Sequence, residues 1–111
     1  MKILVIQQKM IGDVLVSSVI CNNLRKAYPE AHIAYLIYPF TAPVVANNPN
    51  IDELILFTDE FRESKKALFT FLRSIRKARY DLVIDAYGKL ESQLVVAFSG
   101  AKTKIGFAKK Y

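Results

Sequence analysis

The sequence predicts an α/β domain built on a parallel sheet with helices on both faces. Three observations carry this expectation. Short apolar runs alternate with longer segments of helical period, the pattern of β-α-β units. The first and fourth runs, Ile3–Ile6 and Asp81–Asp85, are almost continuously apolar, as in strands covered on both faces. Turn residues (Pro29, Asn47-Asn48-Pro49-Asn50, Gly100) fall between the runs.

The elements follow in order. Strand Ile3–Ile6 stops at polar Gln7, Gln8 and Lys9, and Gly12-Asp13 opens a helix over roughly Asp13–Tyr28. Pro29 ends that helix. Strand His32–Ile37 leads to a short helix at Thr41–Ala46, and strand Glu53–Phe57 follows the asparagine-rich turn. A third helix covers Glu60–Ala78, where Ala67, Leu68, Phe71, Leu72 and Ile75 form an apolar stripe. Strand Asp81–Asp85 precedes a helix at Leu90–Phe98 with Gly100 as its C-terminal cap, and Lys104–Phe107 is the last strand. Residues 1–111 read as one domain. A doubly wound sheet usually adds a covering helix after such a strand, so the ending reads as a truncation.

Composition narrows the function. With 52% hydrophobic residues the chain should fold. No apolar run reaches the roughly 18–20 residues that span a bilayer. Met1-Lys2 enters a core strand with no signal-peptide pattern, and the single cysteine, Cys21, excludes an internal disulfide; both fit a cytoplasmic location. Cys21 reads as a small buried hydrophobe. The net charge of +6 points to a polyanionic partner: nucleic acid, a phosphorylated sugar or an anionic membrane surface. No helix-turn-helix, zinc or RNA-binding aromatic signature appears, so nucleic acid is set aside. His32 has no companion at metal-ligand spacing, and no G-x-G-x-x-G fingerprint supports a dinucleotide cofactor.

Three segments carry a resemblance: Lys2–Leu15 (KILVIQQKMIGDVL), Leu24–Ile33 (LRKAYPEAHI) and Tyr80–Phe107 (YDLVIDAYGKLESQLVVAFSGAKTKIGF). In this order they resemble the N-terminal half of the lipopolysaccharide heptosyltransferases, glycosyltransferase family 9, over nearly the whole chain. The resemblance implies a Rossmann-like three-layer domain, the acceptor-side half of a GT-B architecture. It implies a phosphorylated lipid A–core acceptor held by this half. A nucleotide-sugar donor of ADP-heptose type would sit on a C-terminal domain that the chain lacks, so the fragment alone should be inactive. It implies no cofactor and no metal; the expected place is the cytoplasm, with peripheral contact at the inner face of the inner membrane read from the basic residues taken up below. The chain also departs from the family. Gln8, Lys9 and Met10 stand where small hydroxyl residues are common, Val19 replaces a frequent proline, and Asp85-Ala86-Tyr87-Gly88 replaces Asp-Leu-Gln-Gly. These changes bear on which sugar and which acceptor are used.

Ligands of open parallel sheets bind at the carboxyl ends of the strands, which selects the candidates. Asp13 follows the first strand and, by resemblance, matches the base that takes the acceptor hydroxyl's proton; its plainer role is a helix N-cap. Gly12 offers close backbone approach and unusual dihedrals. Lys9, in the same loop, is either a phosphate or carboxylate contact or a solvated lysine. Arg62, Lys65 and Lys66 are candidate phosphate contacts; their plainer role is the polar face of an amphipathic helix. Gly88 and Lys89 follow the fourth strand into the same cleft, where Asp85 caps a turn or meets ligand. Arg73, Arg76, Lys77 and Arg79 lie toward the opposite end and suit anionic lipid headgroups. Tyr35, Tyr38 and Phe40 serve core and rim packing or a stacking surface for a sugar. The rival reading is a free-standing flavodoxin-like module that binds an anion or a partner without transferase activity.

Overall fold

The computed structural model describes residues 1–8 and 10–106. The chain runs β1 (Lys2–Ile6), α1 (Ile11–Ala27), β2 (His32–Ile37), a 3-10 turn (Pro39–Val44), β3 (Glu53–Leu56), α2 (Glu60–Glu63), α3 (Lys65–Ala78), β4 (Leu82–Asp85), α4 (Leu90–Ser99) and β5 (Thr103–Gly106). All five strands are parallel, in the order β3-β2-β1-β4-β5.

The apolar run of β1 explains its central place. Ile3, Leu4, Val5 and Ile6 are each 0% exposed. Alternation sends Ile3 and Val5 to one face, with Val14 and Cys21 of α1, and Leu4 and Ile6 to the other, with Phe71, Leu72 and Ile75 of α3 and Val95 of α4. Each such side chain contributes about 1.5–3 kcal/mol on burial. The result is the expected Rossmann-like three-layer sandwich. Cys21 packs as expected: burial pushes its thiol up to about 12, so it stays protonated. The Tyr35 hydroxyl, in the same layer, donates to the Val14 carbonyl at 2.8 Å and ties β2 to α1. Burial pushes that phenol well above its ordinary value.

The Tyr-Pro-Glu-Ala-His turn is held by Arg25. Its guanidinium donates to the carbonyls of Pro29 (3.0 Å) and Ala31 (2.7 Å) and to the Asp52 carboxylate (2.5 Å). Asp52 in turn accepts the Ile33 N–H at 2.7 Å, which fixes the entry to β3 against β2.

Several boundaries differ from the sequence reading. The helix expected over Glu60–Ala78 is two helices, because extended Ser64 breaks it and its hydroxyl accepts the Ala67 N–H at 3.2 Å as an N-cap. The helix expected at Thr41–Ala46 is a 3-10 turn beginning at Pro39, since Pro39 and Pro43 supply no N–H for α-helical bonding. The first helix begins at Ile11 rather than Asp13. Gly100 has φ 67°, the left-handed cap expected of it. The last strand runs Thr103–Gly106; Phe107 lies outside the described residues.

The strand order places the functional crevice. From β1 the chain moves outward through β2 to β3, then crosses back to β4 on β1's other side. The loops leaving β1 and β4 therefore diverge, and their carboxyl ends bound a topological switch point. Ile6 pairs with Asp85 at that end.

Candidate functional site

The β1 side of the crevice runs from Gln7 to Asp13. The Gln7 amide nitrogen donates to Ser17 Oγ (2.9 Å) and the Ala86 carbonyl (3.2 Å), so it ties α1 to the loop after β4. Gln8 is 0% exposed, and neither polar atom of its amide has a partner among the described residues. Lys9 lies outside the described residues.

Asp13 is not the N-cap. Met10 holds that position with no side-chain cap bond, and Asp13 is the third residue of the helix. Its carboxylate is exposed and makes no hydrogen bond or ion pair with any described residue. Its negative charge complements the positive end of α1, which a 17-residue helix makes substantial. Gly12 departs from the expectation of unusual dihedrals. It is a regular helical residue, and a Cβ built there would meet nothing within 4 Å. It leaves bare backbone one residue before the carboxylate.

The β4 side is organised by Asp85, which is 1% exposed. One carboxylate oxygen accepts the N–H groups of Tyr87 and Gly88, both at 2.9 Å; the other accepts from the Ser92 hydroxyl at 3.0 Å. This is a turn-capping role, the plainer of the two readings. Gly88 has φ 73°, a conformation that costs other residues roughly 1–2 kcal/mol. Lys89 is the N-cap position of α4, and its backbone N–H donates to Ser92 Oγ at 3.1 Å. The Lys89 side chain is exposed and forms no ion pair among the described residues.

Lys65 and Lys66 are the first two residues of α3 and are exposed. Two cations at a helix N-terminus oppose its dipole, so they do nothing for the helix itself. Arg62 is placed differently from the expectation of a free phosphate contact. Its Nε donates to Glu91 Oε2 at 2.7 Å and a terminal nitrogen to Oε1 at 3.2 Å. Asp59 stands 3.5 Å from its other terminal nitrogen. Its guanidinium lies 4.7 Å from the Tyr38 ring centroid and also contacts the Tyr38 hydroxyl. That hydroxyl donates to Glu91 Oε1 at 2.6 Å.

The acidities of the three groups follow from this knot. The Glu91 hydrogen bond raises Arg62 above its ordinary value. Burial, reinforced by Glu91, raises Tyr38. Partial burial opposes the charge of Glu91, yet Arg62 and Tyr38 hold its carboxyl below the usual range. Sequence reasoning missed Glu91, because the pairing spans 29 residues and leaves no local pattern.

The remaining basic residues sit at the other end. Arg73, Arg76, Lys77 and Arg79 line a depression of about 410 Å³, and none has an ion-pair partner among the described residues. His32 lies 3.0 Å from Glu53 Oε1 at the start of β2, away from the crevice. Among the described residues no group of three or more His, Cys, Asp or Glu side chains forms a metal cage, and no helix is long and apolar enough to cross a membrane.

Comparisons agree with this architecture. Residues 68–111 match the model of glycosyltransferase family 9 (heptosyltransferase). The chain is 31% identical over 98 residues to a lipopolysaccharide heptosyltransferase 3 of Escherichia coli, a match covering 85% of this chain and 28% of that protein. A family 9 glycosyl transferase structure from Veillonella parvula superposes with TM-score 0.82 at 28% identity, covering 95% of this chain and 32% of the other. The Escherichia coli ADP-heptose LPS heptosyltransferase II structure gives TM-score 0.77 at 29% identity, covering 96% and 30%. The chain thus spans about three tenths of the length of the relatives it matches.

Proposed function

From this likeness to family 9 glycosyltransferases, which makes the chain heptosyltransferase-like over nearly its whole length, we propose that it is the acceptor-side domain of a GT-B glycosyltransferase. The whole protein moves heptose or a related sugar from a nucleotide-sugar donor of ADP-heptose type to a phosphorylated lipopolysaccharide core. Donor binding belongs to a second domain facing this crevice.

The single observation that carries the reading is Asp13: an exposed carboxylate, bonded to no described group, at the switch point and beside bare Gly12 backbone. In the proposed step the acceptor oxygen bonds to the anomeric carbon as the bond to the nucleotide diphosphate breaks. Asp13 takes the hydroxyl proton, and the diphosphate leaves with the bond's electron pair. A base must come within about 2.6–3.2 Å of that hydroxyl, which an exposed carboxylate at the mouth permits. Lys65, Lys66 and Lys89, which form no ion pair among the described residues, receive the acceptor phosphates, with Lys9 assigned from the sequence alone. Arg62 shapes the wall through Glu91 and Tyr38. Arg73, Arg76, Lys77 and Arg79 rest against anionic lipid at the cytoplasmic face, where each near-surface cation contributes about 1 kcal/mol.

The test places this segment in a family-length polypeptide with an ADP-heptose donor and a deacylated phosphorylated core acceptor. Transfer that falls by about 10²–10⁴ in Asp13→Asn, with the fold intact and the melting temperature lowered by no more than the lost helix-dipole interaction, supports the base. Anion binding without transfer from any nucleotide sugar replaces the enzyme with a binding module.

A further inference from the structure

We propose that the corner formed by Tyr38, Phe40, Asp59 and Arg62 is a subsite for an uncharged pyranose ring. It rests on the reading of the crevice as a saccharide site and adds where one ring docks and why phosphate does not.

The corner lies at the carboxyl ends of β2 and β3, on the crevice side of the sheet. Tyr38, Pro39, Phe40, Phe57, Asp59 and Arg62 line a cavity of about 220 Å³ there. That is below the roughly 300–1,000 Å³ of drug-sized sites and suits a single ring. Phe40 is 55% exposed, although core positions are close by. Its ring stacks on Tyr38 at 6.0 Å between centroids and 22° between planes. Tyr38 is itself braced edge-on by Phe57 and Tyr87. The aromatic platform is therefore rigid before any ligand arrives, which limits the ordering cost of binding.

Charge decides the ligand class. One guanidinium faces two carboxylates, Glu91 at 2.7 Å and Asp59 at 3.5 Å. The formal sum of Arg62, Glu91 and Asp59 is −1, so a phosphate dianion meets net repulsion. What remains available is planar hydrogen-bonding capacity. The Asp59 side chain is 89% exposed and accepts from hydroxyls; Arg62, 46% exposed, presents N–H edges. An aromatic face flanked by a carboxylate and a guanidinium matches a sugar ring, with its C–H face on the aromatic and its hydroxyls on the charged rim.

The experiment is an NMR titration of the full 111-residue chain with methyl α-D-mannopyranoside and, separately, inorganic phosphate. The sugar is expected to shift signals of Phe40, Tyr38 and Arg62, phosphate to leave them in place. Phe40→Ala should weaken the sugar about five-fold, while Phe40→Trp keeps it, the stacking face being retained. No sugar-dependent shift, equal affinity in Phe40→Ala, or a preference for phosphate at Arg62 would overturn the subsite. Its failure is separable from that of the transferase: transfer that depends on Asp13 without sugar binding here removes only the subsite. Sugar binding without transfer leaves the subsite and removes the enzyme.

Discussion

The wall of the crevice and the basic cluster at the other end of α3 hold positive charge in opposite ways. At the carboxyl end Arg62 is locked to Glu91 and flanked by Asp59, and Asp85 is consumed by its own turn. At the amino end Arg73, Arg76, Lys77 and Arg79 gather without an acidic partner among the described residues. A net charge of +6 therefore does not mark the reactive site. At the crevice the guanidinium is ordered and neutralised, so the rim lysines Lys65, Lys66 and Lys89 are left to meet anions, whereas the cluster at the amino end has no acidic partner among the described residues and suits a broad anionic surface that needs no fixed geometry.

Breaking the ordered end should cost most. Asp85→Ala leaves the N–H groups of Tyr87 and Gly88 without their acceptor, while the Ser92 hydroxyl keeps the Lys89 carbonyl, and should destabilise the chain by about 2–4 kcal/mol in denaturant unfolding. Gly88→Ala should cost about 1–2 kcal/mol through its positive φ alone. A loss of under a few tenths in either would show that the turn does not depend on this geometry.

The pH response sharpens the same contrast. Partial burial opposes the charged forms of Asp52 and Glu91, but Ile33 N–H and Arg25 for the first, Arg62 and Tyr38 for the second, hold both below their ordinary values. Their contribution to stability is fully present above the unfolded values, near about 4, and is lost as pH falls below them. Thermal melts should therefore weaken below about pH 4, less so in Glu91→Gln, which has already lost its share. A melting temperature flat from pH 7 to pH 3 would contradict the lock.

The amino end should behave in reverse. Arg79 is the α3 C-cap at φ 57°, a conformation that glycine adopts without penalty. Arg79→Gly should stabilise the chain by about 1 kcal/mol. It should also weaken binding to phosphatidylglycerol vesicles about five-fold, an effect erased by high salt. Unchanged vesicle binding would remove the lipid assignment.

What the sequence could reveal divides along the same line. The apolar run of β1 announced a strand covered on both faces, Gly100 its left-handed cap, and the Gln7–Asp13 loop its place at the crevice, because local patterns set all three. Ser64 was legible in principle, since a serine before a helical stripe is a common N-cap, but the apolar stripe of Ala67, Leu68, Phe71, Leu72 and Ile75 was extended back to Glu60 across it. Asp13 as a cap was misplaced by three positions, since Met10 is the N-cap. The pairing of Arg62 with Glu91 joins segments 29 residues apart and depends wholly on the fold.

The most direct measurement is sugar transfer by a family-length polypeptide carrying this segment, comparing Asp13→Asn with a Arg73→Glu/Arg76→Glu double variant on a soluble acceptor. The account predicts that Asp13→Asn loses about 10²–10⁴ in rate while the double variant keeps near-full activity. Equal losses in both, or full activity in Asp13→Asn, would contradict the division of the molecule into a reactive crevice and a docking end.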